Sequence, residues 1–167
     1  MDELAHRIGR RLKASRERLV TAESCTGGWA AQVVTSVAGS SEWFERGFVT
    51  YSNDAKRESL GVPAGVLEKF GAVSEETARE MARGALARSR GSVALSVTGV
   101  AGPTGGSAAK PVGTVCFAWA AGESVRSETR HFEGDRESVR RQSVIRALEG
   151  VIELLDSCLT PFDGGHK

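Results

Sequence analysis

Metal-ligating residues are scarce in this chain. Three histidines (His6, His131, His166) and three cysteines (Cys25, Cys116, Cys158) stand far apart, with neither zinc-ligand nor disulfide-framework spacing. No metal and no cofactor are therefore expected. Aromatic residues amount to 6%, and 22 Lys+Arg against 21 Asp+Glu leave a net charge of +1. That balance speaks against a general nucleic-acid binder, because single-strand binders use basic grooves with stacking rings. No apolar run is long enough to cross a bilayer, and the opening MDELAHRIGRRLKASRERL is too polar for a signal peptide. The expectation is a reduced, cytoplasmic domain with no membrane or nucleic-acid partner.

The 167 residues, 40% of them apolar, suffice for one sizeable core. The pattern predicts a single domain over residues 1–159 and a frayed tail at 160–167. Leu4, Ala5, Ile8 and Leu12 predict an opening helix over 2–15. Short apolar runs predict strands at 18–22, 47–51 and 93–97, and an antiparallel pair over 113–120 and 125–132 turning near Gly122. Helices are expected after Gly28, around Lys56 up to Gly61-Val-Pro63, after Ser74, and from Asp135 onward. Helices and strands interleave, yet the late hairpin points to a mixed, partly parallel sheet between helical layers, an α/β/α fold.

The 20 glycines cluster in a few loops, and the chemistry clusters with them. Ser24 stands between a predicted strand and a predicted helix, followed by Gly27 and Gly28. Such a serine exposes its hydroxyl beside backbone N–H groups that face a developing oxyanion. A helix N-cap uses the same residue types, and the residues alone favour that reading. Lys56 follows Tyr51-Ser-Asn-Asp; as the base for a serine it needs a partly dry pocket to lower its pKa, and otherwise it is a solvated lysine. The loop from Thr98 through Gly99, Gly102, Gly105 and Gly106 forms a potential nest of N–H groups for an anion, or else a flexible surface loop. Arg136, Arg140 and Arg141 sit in the first turns of the last helix, where cations oppose the helix dipole but suit an anionic ligand. Arg136 and Arg140 share a face; Arg141 points elsewhere.

Taken in order, AESCTGG at 22–28, GSSEWFERGFVTYSNDAK at 39–56, GAVSEETA at 71–78, SVTGVAGPTGG at 96–106, KPVGTV at 110–115 and GDRESVRRQ at 134–142 resemble the CinA C-terminal domain family. The likeness runs from about Leu4 to Leu155. The family includes nicotinamide mononucleotide amidohydrolases, and the chain looks like a stand-alone form without the family's second, N-terminal domain. The resemblance implies a metal-free Ser/Lys hydrolase that converts nicotinamide mononucleotide to nicotinate mononucleotide and ammonia, in NAD recycling. It assigns functional weight to Ser24, Ser41, Tyr51, Lys56 and Thr98. It adds an arginine of the GDRESVRR segment, with Arg140 favoured and Arg141 as its rival. Ser24 or Ser41 is then the nucleophile, and Gly27, Gly28 and the 98–106 loop lie against the nucleotide. A homodimer is expected on general grounds. The rival reading is a nucleotide-binding regulatory module without chemistry.

Overall fold

The computed structural model describes residues 1–158; the frayed tail expected at 160–167 lies outside the described residues. In chain order the elements are α1 (Asp2–Ser15), β1 (Leu19–Glu23), α2 (Trp29–Thr35), a 3₁₀ turn (Ser40–Glu42), β2 (Phe44–Val49), α3 (Asn53–Leu60), α4 (Ala64–Phe70), α5 (Glu75–Ala87), β3 (Val93–Gly99), β4 (Thr114–Ala121), β5 (Ser124–His131) and α6 (Arg136–Cys158). Their boundaries follow the local signals. Arg16 turns left-handed to end α1, Ser52 and Ser74 accept N–H bonds that start α3 and α5, and the Asp135 carboxylate accepts from Ser138 N–H at the head of α6.

One helix, α4, has no counterpart in the sequence reading. Its seven residues give the helical period no room to repeat, and only Leu67 is buried from it. Strand β2 also begins earlier than the sequence suggests, at Phe44.

The sheet has the order β2-β1-β3-β4-β5, with β2, β1 and β3 parallel and β4 and β5 antiparallel to their neighbours. Alternation along the strands supplies two cores. Val115, Phe117 and Trp119 of β4 face α1, α2 and α6, where they meet Ile8, Leu12, Val34, Leu148 and Val151. Cys116, Ala118 and Ala120 face the other way, toward Leu60, Met81, Ala82 and Ala85 of α3 and α5. The result is three layers, helix on sheet on helix, as the mixed pattern predicted. The small alanines on the α5 side let that helix lie close, and the large rings on the α6 side fill a wider gap.

This topology decides where function sits. Parallel strands β1, β2 and β3 all deliver their C-terminal ends to one edge of the sheet. The antiparallel β4 begins at that edge, and β5 ends there. The loops after β1, β2, β3 and β5 therefore converge, as ligand loops do in open α/β sheets.

Candidate active site

At that edge a cavity of about 370 Å³ is lined by Ser24 and Cys25 from the β1–α2 turn and by Tyr51, Ser52, Asn53 and Lys56 from the start of α3. Thr98 to Gly102 and Thr104 to Gly106 from the loop after β3, Ala72 and Val73, and Arg136 at the head of α6 complete it. The volume is within the range of small-molecule sites.

Lys56 is the unusual residue. It is 1% exposed, on a helix whose neighbouring residues are in water. Its Nζ lies 3.0 Å from Ser24 Oγ and donates to the Thr50 carbonyl at 2.8 Å. Burial lowers its pKa below the ordinary lysine value, because an ammonium loses hydration there; the neighbouring Cys25 acts weakly in the opposite sense. Burial pushes the Cys25 thiol up to about 12, so it stays protonated and is no rival nucleophile.

The turn carrying Ser24 is built differently from the sequence expectation. The helix N-terminus that seemed open to a substrate is already filled by the carboxylate of Glu23, which is fully buried. Its Oε2 accepts from Thr26 Oγ1 at 2.6 Å, Gly28 N–H at 3.1 Å and Ala30 N–H at 3.0 Å, and its Oε1 accepts from Ala31 N–H at 2.9 Å. Nothing in the sequence singled out Glu23; a lone acidic residue at a strand end carries no signal of its own. Gly27 and Gly28 adopt positive φ (60° and 99°) that let the chain fold around this carboxylate, and neither lines the cavity.

The other expected residues divide. Tyr51, 61% exposed, stands at the rim, and its hydroxyl accepts from Arg136. Gly99, Gly102, Gly105 and Gly106 line the cavity as the loop reading proposed. Thr98 lines it too, but its hydroxyl proton goes to the Ala72 carbonyl at 2.8 Å, so it ties down the 70–74 segment and has no proton left for an oxyanion. Ser41 lies at the opposite edge of the sheet. It precedes β2, its carbonyl accepts from Arg18, and a six-residue strand separates it from Lys56 by roughly 20 Å. Within one chain Ser41 and Lys56 therefore do not meet.

The arginines also correct an expectation. Arg140 points at the protein backbone and not into the cavity. Its Nε donates to the Cys25 carbonyl and its Nη2 to the Thr26 carbonyl, both at 3.1 Å, and it stacks over Trp29. Arg141 is exposed and is not among the lining residues. The guanidinium that reaches the cavity belongs to Arg136, which donates to the Gly102 carbonyl and to Tyr51, both at 2.9 Å. Arg136 and Arg140 stand four positions apart on the helix, so they share one face, as the spacing required; one faces the ligand space and the other the nucleophile turn.

A second cavity, of about 540 Å³, lies beyond the 70–74 segment, around Glu75, Glu76, Arg79, Lys110 and Cys116. Lys110 is held there by the Phe70 carbonyl at 2.6 Å. Burial raises the pKa of the cavity's thiol, Cys116, and keeps it protonated.

Residues 1–155 match the CinA C-terminal domain. The chain is 55% identical over 151 residues to a Pseudomonas putida protein named nicotinamide-nucleotide amidohydrolase PncC, covering 90% of this chain and 94% of that one. It is 53% identical over 149 residues to the protein of the same name from Escherichia coli K12, covering 88% and 90%. Among solved structures, the competence/damage inducible protein CihA from Agrobacterium tumefaciens superposes with a TM-score of 0.89 at 50% identity, over 92% of this chain and 94% of that one. A CinA superfamily protein from Klebsiella pneumoniae gives 0.90 at 39% identity, over 93% and 98%.

Proposed function

The chain belongs to the CinA C-terminal domain family, and from that premise we propose that it is an amidohydrolase acting on nicotinamide mononucleotide through Ser24 and Lys56. The observation that carries the reading is the buried Lys56 Nζ, 3.0 Å from Ser24 Oγ in a cavity at the loop edge. The names of the relatives support a nicotinamide nucleotide as the substrate class.

The geometry supports the following chemistry. Neutral Lys56 takes the Ser24 proton as Oγ bonds to the carboxamide carbon, giving a tetrahedral oxyanion. The lysine then gives that proton to the departing nitrogen, the C–N bond breaks and ammonia leaves an acyl ester on Ser24. Water, deprotonated by the same lysine, attacks the ester; nicotinate mononucleotide departs and Ser24 regains its proton. A lysine with its pKa lowered by burial suits this work, because its neutral, proton-accepting form is easier to reach and its ammonium gives the proton back more readily.

At the far end of the cavity, Arg136 and the N–H groups of Gly102, Thr104, Gly105 and Gly106 would hold the 5′-phosphate. Those four N–H groups have no acceptor among the described residues. Binding the phosphate away from the reacting bond positions the carboxamide over Ser24. The same reading puts the protein in the cytoplasm, in NAD recycling, as a homodimer. The exposed Val49 on edge strand β2 and Tyr51 just beyond it support that last part.

The test is ammonia release from nicotinamide mononucleotide by purified protein with a chelator present. Wild type is expected to turn over, and Ser24→Ala and Lys56→Ala to lose about 10³-fold or more. Ammonia release retained by Ser24→Ala would refute the assignment.

A further inference from the structure

An oxyanion needs donors, and the helix start that would ordinarily supply them is taken. Glu23 uses the N–H groups of Gly28, Ala30 and Ala31, and Gly27 N–H donates to the Ser24 carbonyl at 3.0 Å. Ser24 N–H donates to the Val97 carbonyl at 2.9 Å. In the turn from Ser24 to Gly28, the N–H groups of Cys25 and Thr26 alone have no acceptor on another described residue, the Cys25 N–H facing only its own sulfur. Of these two residues Cys25 lines the cavity. It is also the residue after the nucleophile, the place from which a strand-to-helix serine turn draws an oxyanion donor.

The turn is fixed from both sides. Glu23 ties residues 26, 28, 30 and 31 to one carboxylate. Arg140 grips the carbonyls of Cys25 and Thr26 from the α6 side. The Cys25 N–H shares a planar peptide unit with the Ser24 carbonyl, which accepts from Gly27 N–H at 3.0 Å, and Arg140 anchors the two peptide units that follow, 25–26 and 26–27, so the turn between them is held. A surface serine or aspartate would cap a seven-residue helix at less cost than a fully buried carboxylate with a guanidinium opposite. The arrangement makes physical sense if what is held is the direction of one N–H.

We infer that Glu23 and Arg140 are positioning residues that hold the Cys25 N–H as the oxyanion donor for Ser24. Arg140 thereby serves the reacting end of the substrate, while Arg136 serves the phosphate. The inference rests on the amidohydrolase reading but does not depend on its particular substrate.

The experiment uses two reactions on the purified full chain: ammonia release from nicotinamide mononucleotide, and acetylation of Ser24 by p-nitrophenyl acetate read by peptide mass spectrometry. The variants are Glu23→Gln, which turns an acceptor oxygen toward N–H donors as an NH₂, and Arg140→Gln. For both, kcat should fall about 10²-fold, the usual loss for one oxyanion donor. KM should stay within about threefold, since ground-state binding is untouched. The rising limb of the pH profile, set by Lys56, should not move, and Ser24 acetylation should slow in parallel. If Glu23→Gln does not fold, Arg140→Gln carries the test alone.

A folded variant with lowered Tm and unchanged kcat would overturn the inference and leave Glu23 a helix cap. A large rise in KM at unchanged kcat for Arg140→Gln would overturn it in favour of a ligand-holding arginine. Wild-type protein that is acetylated on Ser24 but releases no ammonia would refute the substrate alone, and the acetylation rates would then decide the positioning role. No acetylation of wild-type Ser24 would overturn the inference itself.

Discussion

Lys56 and Ser24 answer to opposing requirements. Burying a lysine amine costs the fold, because water is lost from an ammonium, but it is what lowers the pKa enough to make the amine a base. The sign of the stability effect can be stated. Folded Lys56 titrates below its unfolded value of about 10.4, so between the two the unfolded chain binds more protons and stability rises with pH. Below the folded pKa the penalty is complete; above the unfolded one it vanishes. Lys56→Met should therefore abolish turnover and raise Tm at neutral pH by roughly 2–4 °C, for about 1 kcal/mol. The difference in Tm between variant and wild type should shrink as the pH is raised toward that of free lysine, which calorimetry at several pH values would read. A Tm difference independent of pH would contradict the burial account. Wild-type kcat/KM should climb with pH on a limb lying below the ordinary lysine pKa. Cys25 gives a contrasting prediction: with its thiol at about 12, Cys25→Ala should keep kcat within about threefold, and thiol-alkylating reagents should not abolish wild-type activity.

At the scale of elements, α3 holds the lysine and α5 holds α3. Gly84 of α5 lies against the Leu60 carbonyl, where an added Cβ would come within 1.9 Å of the oxygen. Gly84→Ala must push α3 outward and Lys56 with it. The expected loss is about 1–3 kcal/mol of stability by denaturant titration. A kcat reduction of about 10²-fold should accompany it, since a displacement near 1 Å is enough for that. Normal kcat in a destabilised Gly84→Ala would show that α5 does not set the lysine's position. The periodic elements α1, α5 and α6 and the β4–β5 hairpin were legible in the sequence, because their buried stripes and turn residues repeat. The seven-residue α4 was not. Within the site, the motifs at 22–28, 39–56 and 96–106 draw attention to Ser24, Lys56, Tyr51 and the glycine loop, and these line one cavity. Glu23 and the division of labour between Arg136 and Arg140 were not legible, because both depend on which backbone groups the turn leaves open. Ser41 enters through the family resemblance alone, and the parallel pairing of β2 with β1 is what sets it away from Lys56 within one chain.

Across the whole molecule, the order β2-β1-β3-β4-β5 gathers four loops and the head of α6 at one edge and leaves β2 bare at the side. Val49, 52% exposed on that strand, and Tyr51 beyond it support a pairing of two copies. Val49→Lys should shift sedimentation toward the monomer, and an unchanged dimer would place the interface elsewhere. The central claim is that Ser24 becomes acylated during turnover. It is tested most directly by quenching wild-type protein in acid during reaction with nicotinamide mononucleotide and sequencing the modified peptide by mass spectrometry. The account predicts a nicotinate-nucleotide ester on Ser24, absent from both Ser24→Ala and Lys56→Ala. Steady ammonia release from wild type with Ser24 never modified, and an active Ser24→Ala, would contradict it.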